Sequence, residues 1–270
     1  MNISLFSALR HFASLLGLAA ILSGPAFSAT DDVIKFNEIA TVQREVIVPI
    51  PSEVFNVLDK LKVQRNDWRD ELKVPKNHNC KDRTHRALFL GRVVAEGFLA
   101  VEAQDRDAIQ SLGRTVLSVA EELGLRNAVI KHSKSIIEEA DNGNWDAVRA
   151  EFDATRQTVR EEMKRRRDQN LAQCVSVGGW VRGTEIITAI IQRDFTAKKS
   201  EILYQPQLLE HFTKVFKGNR RFQRDPRMKT IIARLEQLQP FMAKEGDIGL
   251  QDVRHIHAIC AQLGKETISP

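Results

Sequence analysis

Four charged side chains stand in otherwise apolar surroundings, and they are the first candidates for chemistry. Arg92 and Glu96 lie in residues 87–103, where Glu102 is the only other charge; Arg182 and Glu185 are the only charges in residues 171–191. Spacings of four and three place each pair on one helix face. If those faces meet across a polar cavity beside Trp180, Arg92 and Arg182 could hold an anion there. Glu96 and Glu185 could then divide general acid and base roles, provided their environments differ. The simpler expectation is an intrahelical ion pair on whatever strip of each helix reaches water, since structural networks gather charges in the same way. Arg92, Glu96, Trp180, Arg182 and Glu185 thus form the candidate ligand site, and no residue is assigned as catalytic.

A second set is basic. Lys214, Lys217, Arg220, Arg221, Arg224, Arg227 and Lys229 fall within sixteen residues that hold one acid, Asp225, with Phe216 and Phe222 interleaved. Lys164, Arg165, Arg166 and Arg167 make a second cluster at an expected helix C-terminus, where cations also favour the helix dipole. Outside the cytoplasm such surfaces meet an anionic ligand, a lipid headgroup or an acidic protein rather than nucleic acid. A solvated basic face around an inter-helix loop is the plainer reading.

Soft ligands are sparse. His78 and Cys80 lie in a polar, loop-like stretch over residues 74–81 and His85 follows it, but no fourth ligand accompanies them; a loop cysteine with two solvated histidines is the plainer reading, and no metal is expected. The absence of Cys-x-x-Cys-His excludes covalent haem, and no cofactor is implied. His255 and His257 point to different faces of one helix. Cys260, three residues beyond His257, sits on an apolar stripe and reads as core, as does Cys174. An oxidising compartment permits a disulfide among the three cysteines without indicating which pair. No Gly-x-Ser-x-Gly, phosphate-cradling glycine loop or His-Glu-x-x-His occurs.

The elements that position these residues follow from patterning. Residues 1–28 have the form of an export signal. Arg10 and His11 precede an apolar run over residues 12–22, Gly24 and Pro25 break it, and Ala26 and Ser28 supply the small residues for cleavage before Ala29. That run is too short to span a bilayer, so the expected mature chain is exported, periplasmic or secreted, and not an integral membrane protein. The 40 basic and 35 acidic residues give a net charge of +5, which loses only Arg10 with the signal. Residues 29–51, β-branched and punctuated by proline, read as an extended N-terminal arm. From Ser52, an expected N-cap, residues 52–270 read as a single all-helical domain.

Apolar stripes recur at the helical period, among them Ile109, Leu112, Val116, Val119 and Leu123, closed by Gly124. A second runs through Trp145, Val148, Phe152, Thr155, Val159 and Met163. The fold class expected is all-α, a multi-helix bundle of antiparallel helical hairpins. The helices over residues 87–103 and 171–191, apolar on nearly all sides, belong at its centre. Gly91 with Ala95, and Gly179 with Gly183, would let neighbouring backbones approach. A loose echo of Trp145-Asp-Ala-Val-Arg149 in Leu250-Gln-Asp-Val-Arg254 admits two related four-helix units, though patterning alone produces such echoes. Without a catalytic motif, the leading expectation is a binding or interaction protein for an anionic ligand or partner in the cell envelope. An enzyme built on Glu96 and Glu185 and a structural envelope protein are the alternatives.

Overall fold

A computed structural model of the protein describes residues 51–75, 79–80 and 82–268. The expected signal, nearly all of the expected arm and His78 lie outside the described residues. Every regular element among the described residues is helical. In chain order these are α1 (Pro51–Lys60), α2 (Arg65–Glu71), α3 (Arg83–Glu102), α4 (Arg106–Leu123), α5 (Arg126–Asp141) and α6 (Trp145–Arg165). They continue with α7 (Gln169–Arg193), α8 (Ala197–Ser200), α9 (Pro206–Gly218), α10 (Pro226–Met242) and α11 (Leu250–Ile268), with short 3-10 turns at Glu201–Leu203 and Phe222–Arg224.

Local chemistry sets the helix ends. Asp82 and Asp105 cap α3 and α4, accepting from the His85 and Ala108 backbone N–H at 2.8 and 3.0 Å. Asp225 caps α10 ahead of a proline at its first position, where the missing N–H costs no helical bond. Gly124 ends α4 at φ 76°, a left-handed conformation that glycine adopts without a Cβ penalty. Ser52 differs from expectation: α1 already begins at Pro51, and the Ser52 N–H donates to Asp153 of α6 at 3.1 Å.

Helices α3 and α7 are the centre of the fold. They pack along each other, with α11 against both and α4, α5 and α6 continuing round the other side. Close approach depends on Gly91 and Gly178. A Cβ on Gly91 would stand 1.9 Å from the Val175 carbonyl oxygen, and one on Gly178 would stand 1.9 Å from that of Leu88. The expected role of Gly183 is not observed, because a Cβ there meets nothing within 4 Å. By length and composition α7 could cross a membrane, but 78% of its apolar window is buried against the rest of the fold. The two echoing segments open α6 and α11, each of which touches both central helices.

The far end of α3 carries an ionic contact set by burial. Arg149 of α6 donates to Asp59 at 2.7 and 2.8 Å and to Glu102 at 2.7 Å, and its guanidinium lies 4.8 Å from the Phe55 ring centroid. Burial pushes the Glu102 carboxyl up to about 7; Arg149 draws it down less than burial raises it, and Asp59 adds to the rise. The folded state therefore keeps a proton that the unfolded chain has released between about pH 4.5 and 7, and stability falls as pH rises through that window. Glu102→Gln removes the burdened charge while leaving Arg149 its Asp59 partner. The variant is expected to melt about 4–8 °C higher above pH 7, for roughly 2 kcal/mol gained. The gain should vanish below pH 4.5. A variant less stable than wild type above pH 7 would show that the Arg149 pair outweighs burial.

Candidate functional site

The four charges meet across the two central helices, where intrahelical pairs were the simpler expectation. Arg182 Nε donates to Glu96 Oε1 at 2.6 Å across the α3–α7 contact, and its Nη1 lies 3.1 Å from Glu185 Oε1 one turn along its own helix. Arg92 Nη1 lies 3.6 Å from Glu185 Oε2. The strand-like exit from α2 completes the cluster: the Glu71 carbonyl accepts from Arg182 at 2.6 Å, and Lys73 gives its backbone N–H to Glu96 and its Nζ to Glu185. The ion pairs thus run mainly between helices, rather than within each one. Arg182 is wholly buried, and Arg92, Glu96 and Glu185 are nearly so.

Charge balance decides what the cluster can do. For Glu185, burial is the largest single influence and raises its pKa, but Arg182, the Lys73 hydrogen bond and Arg92 together hold it below the usual carboxylate range. For Arg182, burial opposes the charge while Glu96 and Glu185 more than restore it; for Arg92, burial prevails and lowers the pKa. Three cations enclose two carboxylates. A carboxylate held ionised makes a poor general acid, and Gly264 of α11 closes the far side, where a Cβ would stand 2.4 Å from Arg92 Nη1. The buried charges of this network have one another as partners.

The fifth residue of the expected site parts from the other four. Trp180 donates its Nε1–H to Gln205 at 2.6 Å and meets Phe212 edge-on at 5.8 Å. Trp180 and Gln205 line a different feature, a cavity of about 320 Å³ among α1, α3, α4, α5, α6 and α7. None of Arg92, Glu96, Arg182 and Glu185 lines it.

The cavity wall is formed by the apolar stripes of the helices around it, including Val93 and Phe98 on α3, Ile109 and Val116 on α4, and Ile136 on α5. Phe98 packs against Phe55 and Phe152 at 4.8 and 5.2 Å. Polar groups are few and placed on particular helices. Arg156, Arg160 and Lys164 follow one another at four-residue intervals along α6, and the Ser133 hydroxyl of α5 is buried without a hydrogen-bond partner. Gly183, in the interior of α7, also lines the space. Glycine costs a helix interior about 1 kcal/mol relative to alanine, and here its missing side chain leaves volume open.

A further constellation was not anticipated. His132 of α5 approaches Glu151 at 2.5 Å through Nδ1 and the Thr158 hydroxyl at 2.8 Å through Nε2, so hydroxyl, imidazole and carboxylate stand in line. The order matches a nucleophile–base–acid series. Yet the trio does not line the cavity, and the same hydroxyl lies 3.1 Å from the Ala154 carbonyl in the turn below. Its evident work is to clip α5 to α6.

Cys80 and His85, read as a solvated loop cysteine and histidine, are both buried, the first within the core and the second on the opening turn of α3. Among the described residues no group of three His, Cys, Asp or Glu could hold a metal ion. Cys80, Cys174 and Cys260 are free and buried; burial pushes the Cys80 thiol up to about 11 and the other two higher still, which makes them inert. The basic cluster surrounds the 3-10 turn after α9, anchored by buried Phe222 packed on Phe216 at 5.2 Å. Lys217 pairs with Glu236 and Arg227 with Asp82, while Lys214, Arg220, Arg221, Arg224 and Lys229 are exposed. Comparison with protein-family models, with curated proteins and with solved structures yields no match to the chain.

Proposed function

We propose that this chain is a binding protein of the cell envelope whose ligand is an anionic amphiphile. An apolar body fills the cavity and a carboxylate, sulfate or phosphate end meets Arg156, Arg160 and Lys164. The observation that carries the reading is the cavity's composition: an apolar interior of ligand-binding size with three cations on one wall. The unpartnered Ser133 hydroxyl supports it, since buried polar groups without partners are rare and call for a reason. Export, expected from residues 1–28, is part of the proposal. It retains the expectation of an anionic ligand and moves the site from the Arg92–Glu185 network to the cavity. An enzyme with Glu185 as its general acid would need that carboxyl to hold a proton near neutrality, and Arg182, Lys73 and Arg92 keep it ionised.

The test uses protein stripped of bound lipid by denaturation and refolding, titrated with a fluorescent long-chain carboxylate. Saturable binding of one probe per chain is expected. Gly183→Phe, which puts a ring where a Cβ meets nothing within 4 Å, should abolish binding without lowering the melting temperature. Arg160→Gln should weaken the carboxylate about tenfold, the effect of one charge-assisted contact. It should leave the matching long-chain alcohol unaffected. Equal binding of carboxylate and alcohol would remove the anionic head from the proposal, and no saturable binding would remove the cavity as a site.

A further inference from the structure

The two basic clusters are far apart in sequence, yet a relay of side chains brings them to one end of the bundle. Arg227, at the start of α10, donates to Asp82, the cap of α3, at 3.2 Å. The next residue, Arg83, donates to Asp168 at 3.0 Å, and Asp168 is also the partner of Arg166 at 3.4 Å. The N-termini of α3, α7 and α10 and the C-terminus of α6 therefore share this end. Its acids are engaged: Asp82, Asp168 and Asp225 cap helices or bind the arginines just named, and Glu162 pairs with Arg165. Arg167, Arg220, Arg221 and Arg224 remain exposed, with no carboxylate partner among the described residues. Arg167 also sits at φ 58°, a left-handed position that suits glycine, as Lys62 and Gln104 do at two other turns.

The cavity lining reaches the same end at Lys164, in the last turn of α6. On α6 the cations Arg156, Arg160 and Lys164 climb the cavity wall one turn at a time, and Lys164 adjoins Arg165–Arg167. A continuous cationic path thus joins the cavity lining to the basic end.

We propose that this end is a docking surface for an anionic bilayer, from which the amphiphile passes along the α6 cations into the cavity. The choice of a bilayer over another polyanion rests on the amphiphile reading, because an amphiphile resides in membranes. Charge complementarity carries the contact itself: clustered lysines and arginines at a membrane face add to one another and weaken as salt screens them.

The full mature protein is mixed with phosphatidylcholine vesicles with and without phosphatidylglycerol, and co-sedimentation is measured. Binding to the anionic vesicles alone, lost at high salt, is the expected result. Replacing Arg220, Arg221 and Arg224 by Gln should lower vesicle partitioning roughly hundredfold while leaving the affinity for the soluble fluorescent carboxylate intact. Arg167→Gly should weaken vesicle binding while raising the melting temperature, a combination that loss of folding cannot produce. Equal binding to neutral and anionic vesicles would overturn the proposal, as would retention of polyglutamate with no vesicle binding. Vesicle binding without probe binding would leave the docking surface standing and remove the cavity reading; probe binding without vesicle binding would do the reverse.

Discussion

Arg182→Met is expected to cost about 3–5 kcal/mol, the penalty for stranding buried charge when one partner of an ion network is removed. For a helical body of this size the melting temperature should fall by about 6–20 °C. The size follows from position: Arg182 is wholly buried, bonds Glu96 at 2.6 Å and the Glu71 carbonyl at 2.6 Å, and stands 3.1 Å from Glu185. Without it, Glu96 keeps only the Lys73 backbone N–H, and Glu185 keeps Lys73 and the more distant Arg92. The double variant Arg182→Met with Glu96→Gln should recover part of the loss, because the stranded carboxylate goes with the guanidinium; thermal unfolding of the four-member cycle measures the coupling. The pH dependence has the sign opposite to that of Glu102. Glu185 is held below its usual range, so its stabilisation is present above about pH 4.5 and is lost as pH falls through its folded value. The destabilisation of Glu185→Gln should accordingly shrink on acidification. A loss under about 1 kcal/mol in Arg182→Met would mean that water reaches the network and relieves it, as at exposed ion pairs.

The architecture was legible because it depends on period and charge. Residues 87–103 and 171–191 lack a polar face, and helices without one have to be surrounded, which is how α3 and α7 are found. The meeting of Arg92, Glu96, Arg182 and Glu185 followed from the same fact: charges on the only polar spots of two adjacent buried helices have each other as partners. The loop after α2 was not foreseeable as a third contributor, since nothing in the sequence of Glu71 or Lys73 distinguishes them from surface residues. The cavity was illegible for a deeper reason. Val93, Ile109, Ile136 and Phe98 are the types that fill a core, and a stripe records which way a helix faces without recording whether the space opposite is filled. Two features of the sequence nevertheless bear on it. Arg156, Arg160 and Lys164 recur every fourth residue beside the stripe of Phe152, Val159 and Met163. Gly183 interrupts a helix at a point where no turn needs it. Neutralisation of Lys217 by Glu236 and of Arg227 by Asp82 likewise depends on tertiary contacts, so the basic cluster could be counted from sequence but its exposed part could not.

Gly178→Ala and Gly183→Ala make the same chemical change five residues apart on α7, and they are expected to act in opposite directions. At Gly178 the new Cβ would lie 1.9 Å from the Leu88 carbonyl oxygen and 2.8 Å from its carbon. Both partners are helical backbone, so no rotamer change can relieve the contact, and α3 must move away from α7. That displacement lengthens the Arg182–Glu96 bond and loosens the packing of Gly91 on Gly179 at the same time. The cost should therefore reach about 3 kcal/mol or more, at the upper end of overpacking penalties. At Gly183 the added methyl meets nothing within 4 Å, and the helix gains up to about 1 kcal/mol from the better residue. Paired thermal melts read the difference directly. Two alanines with equal effects would mean that α3 and α7 stand further apart than the Leu88–Gly178 contact requires. Opposite signs would establish that one helix carries two separate tasks on neighbouring turns: Gly178 brings α7 hard against α3, and Gly183 keeps open the space into which the ligand is proposed to fit.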